Sequence, residues 1–260
     1  MAKLPEFKAD YKYSNVGTVI GKITYISDLV SKAGNQYGKK FLVNVKGYGS
    51  VDIRVPSVQK AQEITEQFQV GENARFGLVT VDSFHSKTTG KTYTNFTTFA
   101  TPSDAVTANG NEMDNRVAGK IGGEVAKITN ENGHTVFWLV SYRVDKDGNQ
   151  IKNRNGDFLP PLLIKLDVVD NDVKKEFDEK VQEGTNVEVG YVYVNKDDVS
   201  FDEFGLPLGS GQKVQRLEAK RIIVHKNQKQ VVKKEKSNWD SDPFGDVFGG
   251  IEISDSDIPF

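Results

Sequence analysis

The stretch "VGENARFGLVTV" (70–81) returns as "EGTNVEVGYVYV" (183–194), and that return decides the fold. At an offset of 113, Gly71 meets Gly184, Asn73 meets Asn186, Gly77 meets Gly190, Val79 meets Val192 and Val81 meets Val194. Upstream, "VIGKITYI" (19–26) matches "IGGEVAKI" (121–128) at an offset of 102, with Gly21 over Gly123 and Ile23 over Val125. An internal repeat announces one structural plan used twice. The two offsets differ by 11, so the second copy holds an insertion, and "VDKDGNQIKNRNGDFLPP" (144–161) has the polar, Asn/Gly-rich, proline-closed composition of one.

Each copy reads as the same series of elements. In the first, mixed or alternating apolar patterns predict strands at 16–27, 39–48 and 51–55. Pro56-Ser57 then signals a helix start, with Ser57 as N-cap and Val58, Ala61, Ile64 or Thr65, and Phe68 on one face, and Gly71 stops the helix. Strands at 74–82 and 92–100 complete the unit. The second copy gives strands at 116–129, 134–144 and 162–168, a helix at 171–182, and strands at 186–194 and 214–225. Five strands with one helix between the third and fourth is the order of the OB-fold, a five-stranded Greek-key barrel. The expected fold is therefore all-β with one short helix per domain: tandem OB-folds at 1–105 and 116–226, a linker at 106–115 and a disordered tail at 227–260.

Charge is unevenly spread along the 260 residues, whose formal net charge is −2. Residues 1–105 carry 13 Lys and Arg against 9 Asp and Glu, 106–236 carry 21 against 21, and 237–260 carry none against 6. A basic front and an acidic end suggest an anionic partner for the former. The chain has no cysteine, which removes disulfides, thiol nucleophiles and Cys-ligated zinc. No apolar run approaches the ~18 residues of a membrane span, and the start lacks a signal peptide's apolar core, so a cytoplasmic protein is expected.

No catalytic constellation emerges. His85, His134 and His225 lack spaced ligand partners. "TTGKT" offers the Gly-Lys-Thr of a phosphate loop, but His85 stands where its earlier glycine belongs. "DKDGN" (145–149) places its glycine too early for an EF-hand. The expectation is a binding protein, without enzymatic activity, cofactor or metal.

The chain closes on "SDSDIPF", an apolar tip behind Asp255 and Asp257. "DSDIPF" closely resembles the C-terminal tip of bacterial-type single-stranded-DNA-binding proteins, and the plan of barrel, linker and acidic tip resembles that family more loosely. Two barrels per chain depart from the family's common one-barrel members and look like its two-barrel variants, and a phage-encoded member fits the resemblance. The resemblance implies a protein of the bacterial cytoplasm that coats single-stranded DNA without sequence specificity in replication, recombination or repair. It also implies that Asp255, Asp257, Ile258, Pro259 and Phe260 recruit partner proteins. Physically, Phe260 suits an apolar pocket while its carboxylate and Asp257 meet a basic rim. A homodimer, supplying four barrels, stays open. So do two rival functions, a protein-interaction adaptor and an OB-fold RNA binder.

A sequence-tolerant strand binder needs cations for phosphates and aromatic faces for bases. In an OB-fold the second and third strands and the β1–β2 and β4–β5 loops form the usual surface. The first copy offers Lys32, Tyr37, Lys39 and Lys40 in and after one loop, then Phe84, Lys87, Lys91 and Tyr93 around the other, with Lys46, Tyr48 and Arg54 between. The second offers Arg143, and its insertion adds Lys152, Arg154 and Phe158 beside Lys146. Its β4–β5 connection carries Asp197, Asp198, Asp202 and Glu203, which repel phosphate, so the first barrel is expected to bind more strongly. In "HTVFWLVSYRV" the alternation puts Val136, Trp138, Val140, Tyr142 and Val144 on one face, expected to be core, with Phe137, Ser141 and Arg143 outward. It leaves Trp138 open between core and stacking.

Overall fold

A computed structural model describes residues 15–86, 90–131, 133–143, 149–153, 155–201 and 207–225. Lys87, Lys146, Arg154, Asp202, Glu203 and the whole acidic tip lie outside the described residues.

The first barrel is built from β1 (Asn15–Val30), β2 (Gln36–Val45), β3 (Gly49–Val55), α1 (Val58–Gln67), β4 (Asn73–His85) and β5 (Thr92–Thr97). β1 pairs β2, β2 pairs β3, β3 meets β5 in parallel, β5 pairs β4, and β4 returns to β1. That circuit closes the barrel, with α1 between the third and fourth strands as the spacing predicted. A two-residue strand, β6 (Ser103–Asp104), lies on β4. The second barrel repeats the circuit with β7 (Arg116–Glu131), β8 (His134–Ser141), β9 (Leu162–Val168), α2 (Asn171–Lys180), β10 (Asn186–Phe201) and β11 (Pro207–Val224).

The repeat holds down to register. Lys22 faces Asn73 in one barrel and Glu124 faces Asn186 in the other, offsets of 102 and 113. The β1–β2 ladder shifts between Ile23 and Tyr25, and the β7–β8 ladder between Val125 and Lys127. Both helices are capped alike. Ser57 accepts from the Lys60 amide and Asp170 from those of Asp172 and Val173, while the amides of Phe68 and Val181 close back on Ile64 and Phe177. Side chains alternating inward along the strands fill the interior, Phe41, Phe76 and Phe96 in one barrel and Phe137, Leu139 and Leu166 in the other, all fully buried.

The barrels are fused edge to edge. β1 pairs antiparallel with β7 from Asn15↔Ile121 to Ile20↔Arg116, so one sheet of 11 strands runs through both. Gly17 faces Gly119 at the centre. These two are equivalent by the 102 offset, so the pairing is self-complementary in the manner of an isologous dimer. A Cβ on Gly119 would stand 2.5 Å from the Val16 carbonyl and 2.6 Å from the Gly17 Cα, and the Tyr191 hydroxyl lies against both glycines.

Each β4–β5-type hairpin also reaches across. The Ser83 hydroxyl accepts from the Lys165 amide on β9 at 2.9 Å. From the other side, the Asn195 amide donates to the Tyr48 carbonyl at 2.8 Å and its side chain to the Ser50 carbonyl at 2.6 Å. Phe96 and Tyr193 meet edge to face at 4.9 Å where these arms cross. Within the expected linker at 106–115, residues 106–112 form a small hairpin closed by a Val106–Glu112 bridge.

The phase of β8 is a correction. Phe137 is fully buried in the core 4.9 Å from Phe177, and Ser141 is buried too, so both point inward rather than outward. Trp138 takes the opposite face of β8 yet is only 9% exposed. Both faces of this strand are covered, and alternation alone then cannot say which face is which.

Candidate nucleic-acid interface

The outer face of the first barrel is set by what its strands do not bury. On β4 and β5, Phe84 and Tyr93 are cross-strand partners on one face, 51% and 37% exposed. Such directly opposed aromatics form one continuous platform. Two residues inward on the same face, Asp82 accepts from the Asn95 side chain at 2.7 Å. β3 lies beside β5, and its exposed Arg54 pairs in register with Thr97.

Asp82 is the carboxylate at the middle of this face. Burial pushes its pKa above the usual carboxylate range, while the Asn95 hydrogen bond and the charges of Arg54 and Arg143 pull it back. Arg143 comes from the end of β8, so this carboxylate sits between cations of both barrels. A raised folded-state pKa means the folded chain holds this proton to higher pH than the unfolded one. The stabilisation it lends at acid pH therefore falls away as pH climbs from the ordinary carboxylate value, about 4, through the raised one. Asp82→Asn is expected to flatten that stretch of the stability–pH curve, measured by thermal melts across it.

The other nominated residues divide. Lys39 is held by Asp28 at 2.7 Å and Lys40 by Asp52 at 3.5 Å, both partly exposed surface pairs. Lys32 and Lys46 are exposed in turns, Lys91 is exposed beside β5, and Tyr37 is half-buried on β2. Tyr48 packs against the core in the turn that receives Asn195, so its ring is not an open stacking face. Gly49, in the same turn, has φ +92 and lies against the Asn195 carbonyl, which only glycine tolerates.

In the insertion, the Lys152 Nζ lies 4.7 Å from the Phe158 ring centroid across an isolated bridge, and both are exposed. The Arg143 carbonyl accepts from the Ile151 amide at 2.9 Å, which fixes this small hairpin beside Arg143.

Tyr25 was missed by sequence reasoning. It is 58% exposed and pairs with Leu42 on the outer face of the β1–β2 ladder. The bulge after Ile23 turns it outward, and nothing in the alternation of "KITYI" marks a bulge.

On the second barrel, several cations among the described residues are held by carboxylates. Where the first has Arg54, the 113 offset gives Asp167. Lys165 is held by Glu131 at 2.6 Å, and Arg216 and Lys220 both bind Glu218 at 2.8 and 2.9 Å. Among the described residues, no group of three or more His, Cys, Asp or Glu is placed to hold a metal. None of the described helices is long and apolar enough to cross a membrane.

Comparison with solved structures gives a match over nearly the whole chain. The wild-type single-stranded DNA binding protein from Thermus aquaticus aligns with 87% of this chain and 100% of its own, at 10% identity and a TM-score of 0.50. What the two share is the fold. A deletion mutant of the Thermus protein aligns with 85% of this chain and 98% of its own, at 11% identity and a TM-score of 0.45. The mitochondrial single-stranded DNA binding protein of S. cerevisiae covers 44% of this chain and 98% of its own, at 17% identity and a TM-score of 0.28. No family model and no curated protein matches the sequence. The tandem OB-fold therefore stands on structure, with almost no identity in sequence behind it.

Proposed function

We propose that this protein binds single-stranded DNA without sequence preference, with its main site on the outer face of the first barrel. The observation that carries the reading is the exposed Phe84–Tyr93 pair beside Arg54, with Arg143 of the second barrel completing the cationic rim. Flat faces take any base, and cations take the phosphates that follow. Lys40, Tyr25 and the Lys152–Phe158 hairpin extend that surface at its margins. The second barrel lends Arg143 and its insertion rather than a strand-tracking face of its own, because Lys165, Arg216 and Lys220 are already held by carboxylates.

The finer reading assigns the protein to replication, recombination or repair, in bacteria or their phages. In it the barrels occupy 1–105 and 116–226, and the tail from 227 carries its tip to partner proteins. The test is a titration of labelled oligo-dT beside the matching duplex and an RNA strand at two salt concentrations. Tight binding to dT that weakens with salt, by about −0.7 in the log–log slope per phosphate held, supports the reading. Binding to dT no better than to duplex overturns it and favours the adaptor, and a preference for RNA favours the RNA binder.

A further inference from the structure

The two barrels match at the seam in backbone but not in side chains. By the 102 and 113 offsets, Thr18 and Arg75 of the first barrel correspond to Lys120 and Glu188 of the second. Lys120 and Glu188 form an ion pair at 3.2 Å. Arg75 has no such partner among the described residues, and its Nε is buried with no hydrogen-bond acceptor. A buried guanidinium nitrogen without an acceptor asks for a ligand.

Register places a second guanidinium alongside. Arg75 on β4 faces Ile20 on β1, and Ile20 faces Arg116 on β7. The two arginines flank Ile20 across three adjacent strands, so their backbones stand about 10 Å apart. No described carboxylate pairs with Arg116, which is exposed.

Beside Arg75 opens a cavity of about 390 Å³, lined by the hydroxyl-bearing Thr18, Thr101 and Ser103 and by Leu78. Leu78 is the residue that corresponds to Tyr191. Tyr191 is buried over the central glycines, whereas Leu78 is turned outward at φ +50 and is 67% exposed. A bulky side chain held at positive φ is strained, and such strain concentrates at functional positions. Arg75 also lies on the same outward face of β4 as Thr80, Asp82 and Phe84, beyond the bulge.

We infer that Arg75 and Arg116 form a second phosphate seat for single-stranded DNA, at which a strand leaving the Phe84–Tyr93 platform along β4 crosses the seam onto the second barrel. The ligand chemistry is a phosphodiester held by two guanidinium groups and neighbouring hydroxyls, with Leu78 offering an apolar surface to a base. This rests on the proposed function. It places the crossing on one side of the fused pair only, since the equivalent position is closed by the Lys120–Glu188 pair.

The test measures oligo-dT affinity of the full chain against salt for wild type, Arg75→Ala, Arg75→Lys, Arg116→Ala and the double alanine variant. Each alanine variant is expected to make the log–log slope about 0.7 shallower and the double about 1.4, with Arg75→Lys close to wild type. The shortest oligo-dT that attains full affinity should shorten in the double variant, while thermal melts verify that it folds. Wild-type binding to dT combined with unchanged slopes and lengths in the alanine variants overturns this inference alone. A wild-type chain that shows no preference for dT overturns it together with the reading on which it rests.

Discussion

Gly17→Ala is expected to lower the melting temperature by roughly 5–10 °C, and adding Tyr191→Phe to restore most of it. A methyl on Gly17 points at the Tyr191 hydroxyl, while its next neighbours, the Ala118 and Val79 carbonyls, stand at 3.3 and 3.4 Å and give ordinary or slightly tight contact. The damage is thus one clash against one buried hydroxyl. Overpacking of this kind costs about 1–3 kcal/mol, and a chain of this size loses roughly 2–4 °C per kcal/mol. Removing the hydroxyl removes the obstacle. Gly119→Ala supplies the contrast, because its methyl also meets the Val16 carbonyl and the Gly17 Cα at 2.5 and 2.6 Å. Backbone cannot step aside without opening the β1–β7 ladder, so Tyr191→Phe should not rescue it. Calorimetry on the four variants checks this. Equal rescue of both glycines would mean that the strands are not held this close.

The second large effect concerns the aromatic platform. Phe84→Ala and Tyr93→Ala should each weaken oligo-dT binding by about 1–3 kcal/mol, or roughly 10–100-fold. The two rings are cross-strand partners, so the double variant should lose less than the product of the single losses. Neither substitution removes a charge, and the salt dependence should therefore keep its slope. That separates stacking from the phosphate contacts proposed for Arg54, Arg143, Arg75 and Arg116. Both side chains are exposed, so thermal melts should change little. Full affinity without both rings would shift the stacking to Tyr25 or Phe158.

The repeat in the sequence was worth more than any single motif. Its two offsets are reproduced by the β1–β4 and β7–β10 registers, by the paired bulges and by the two helix caps, because both copies repeat the same pattern of residues. The insertion was equally visible, since its Asn and Gly residues and closing prolines break every pattern around them. What stayed hidden was tertiary. No local signal marks Gly17 and Gly119 as the centre of a seam, since a glycine in a strand reads the same whether it faces solvent or another backbone. The inward phase of Phe137 was lost because both faces of β8 are covered. Of the nominated site, Arg54, Phe84, Tyr93 and Arg143 are brought to one rim, while Tyr48 is spent on the contact between barrels. Arg75 was passed over since an arginine in an alternating strand looks like ordinary surface. Only the comparison of the two barrels, position by position, shows that among the described residues it lacks the partner its counterpart has.

The self-complementary seam has a consequence for how such a protein can vary. Were the two barrels separate copies of one gene product, every substitution near Gly17 would appear twice, and a change that suited one side would be forced on the other. Carried on a single chain, the sides are free to part company. One holds Tyr191 and a closed ion pair, the other Leu78 and an arginine that no described carboxylate pairs. The two halves of the fused pair are therefore inequivalent, where those of a symmetric dimer are identical.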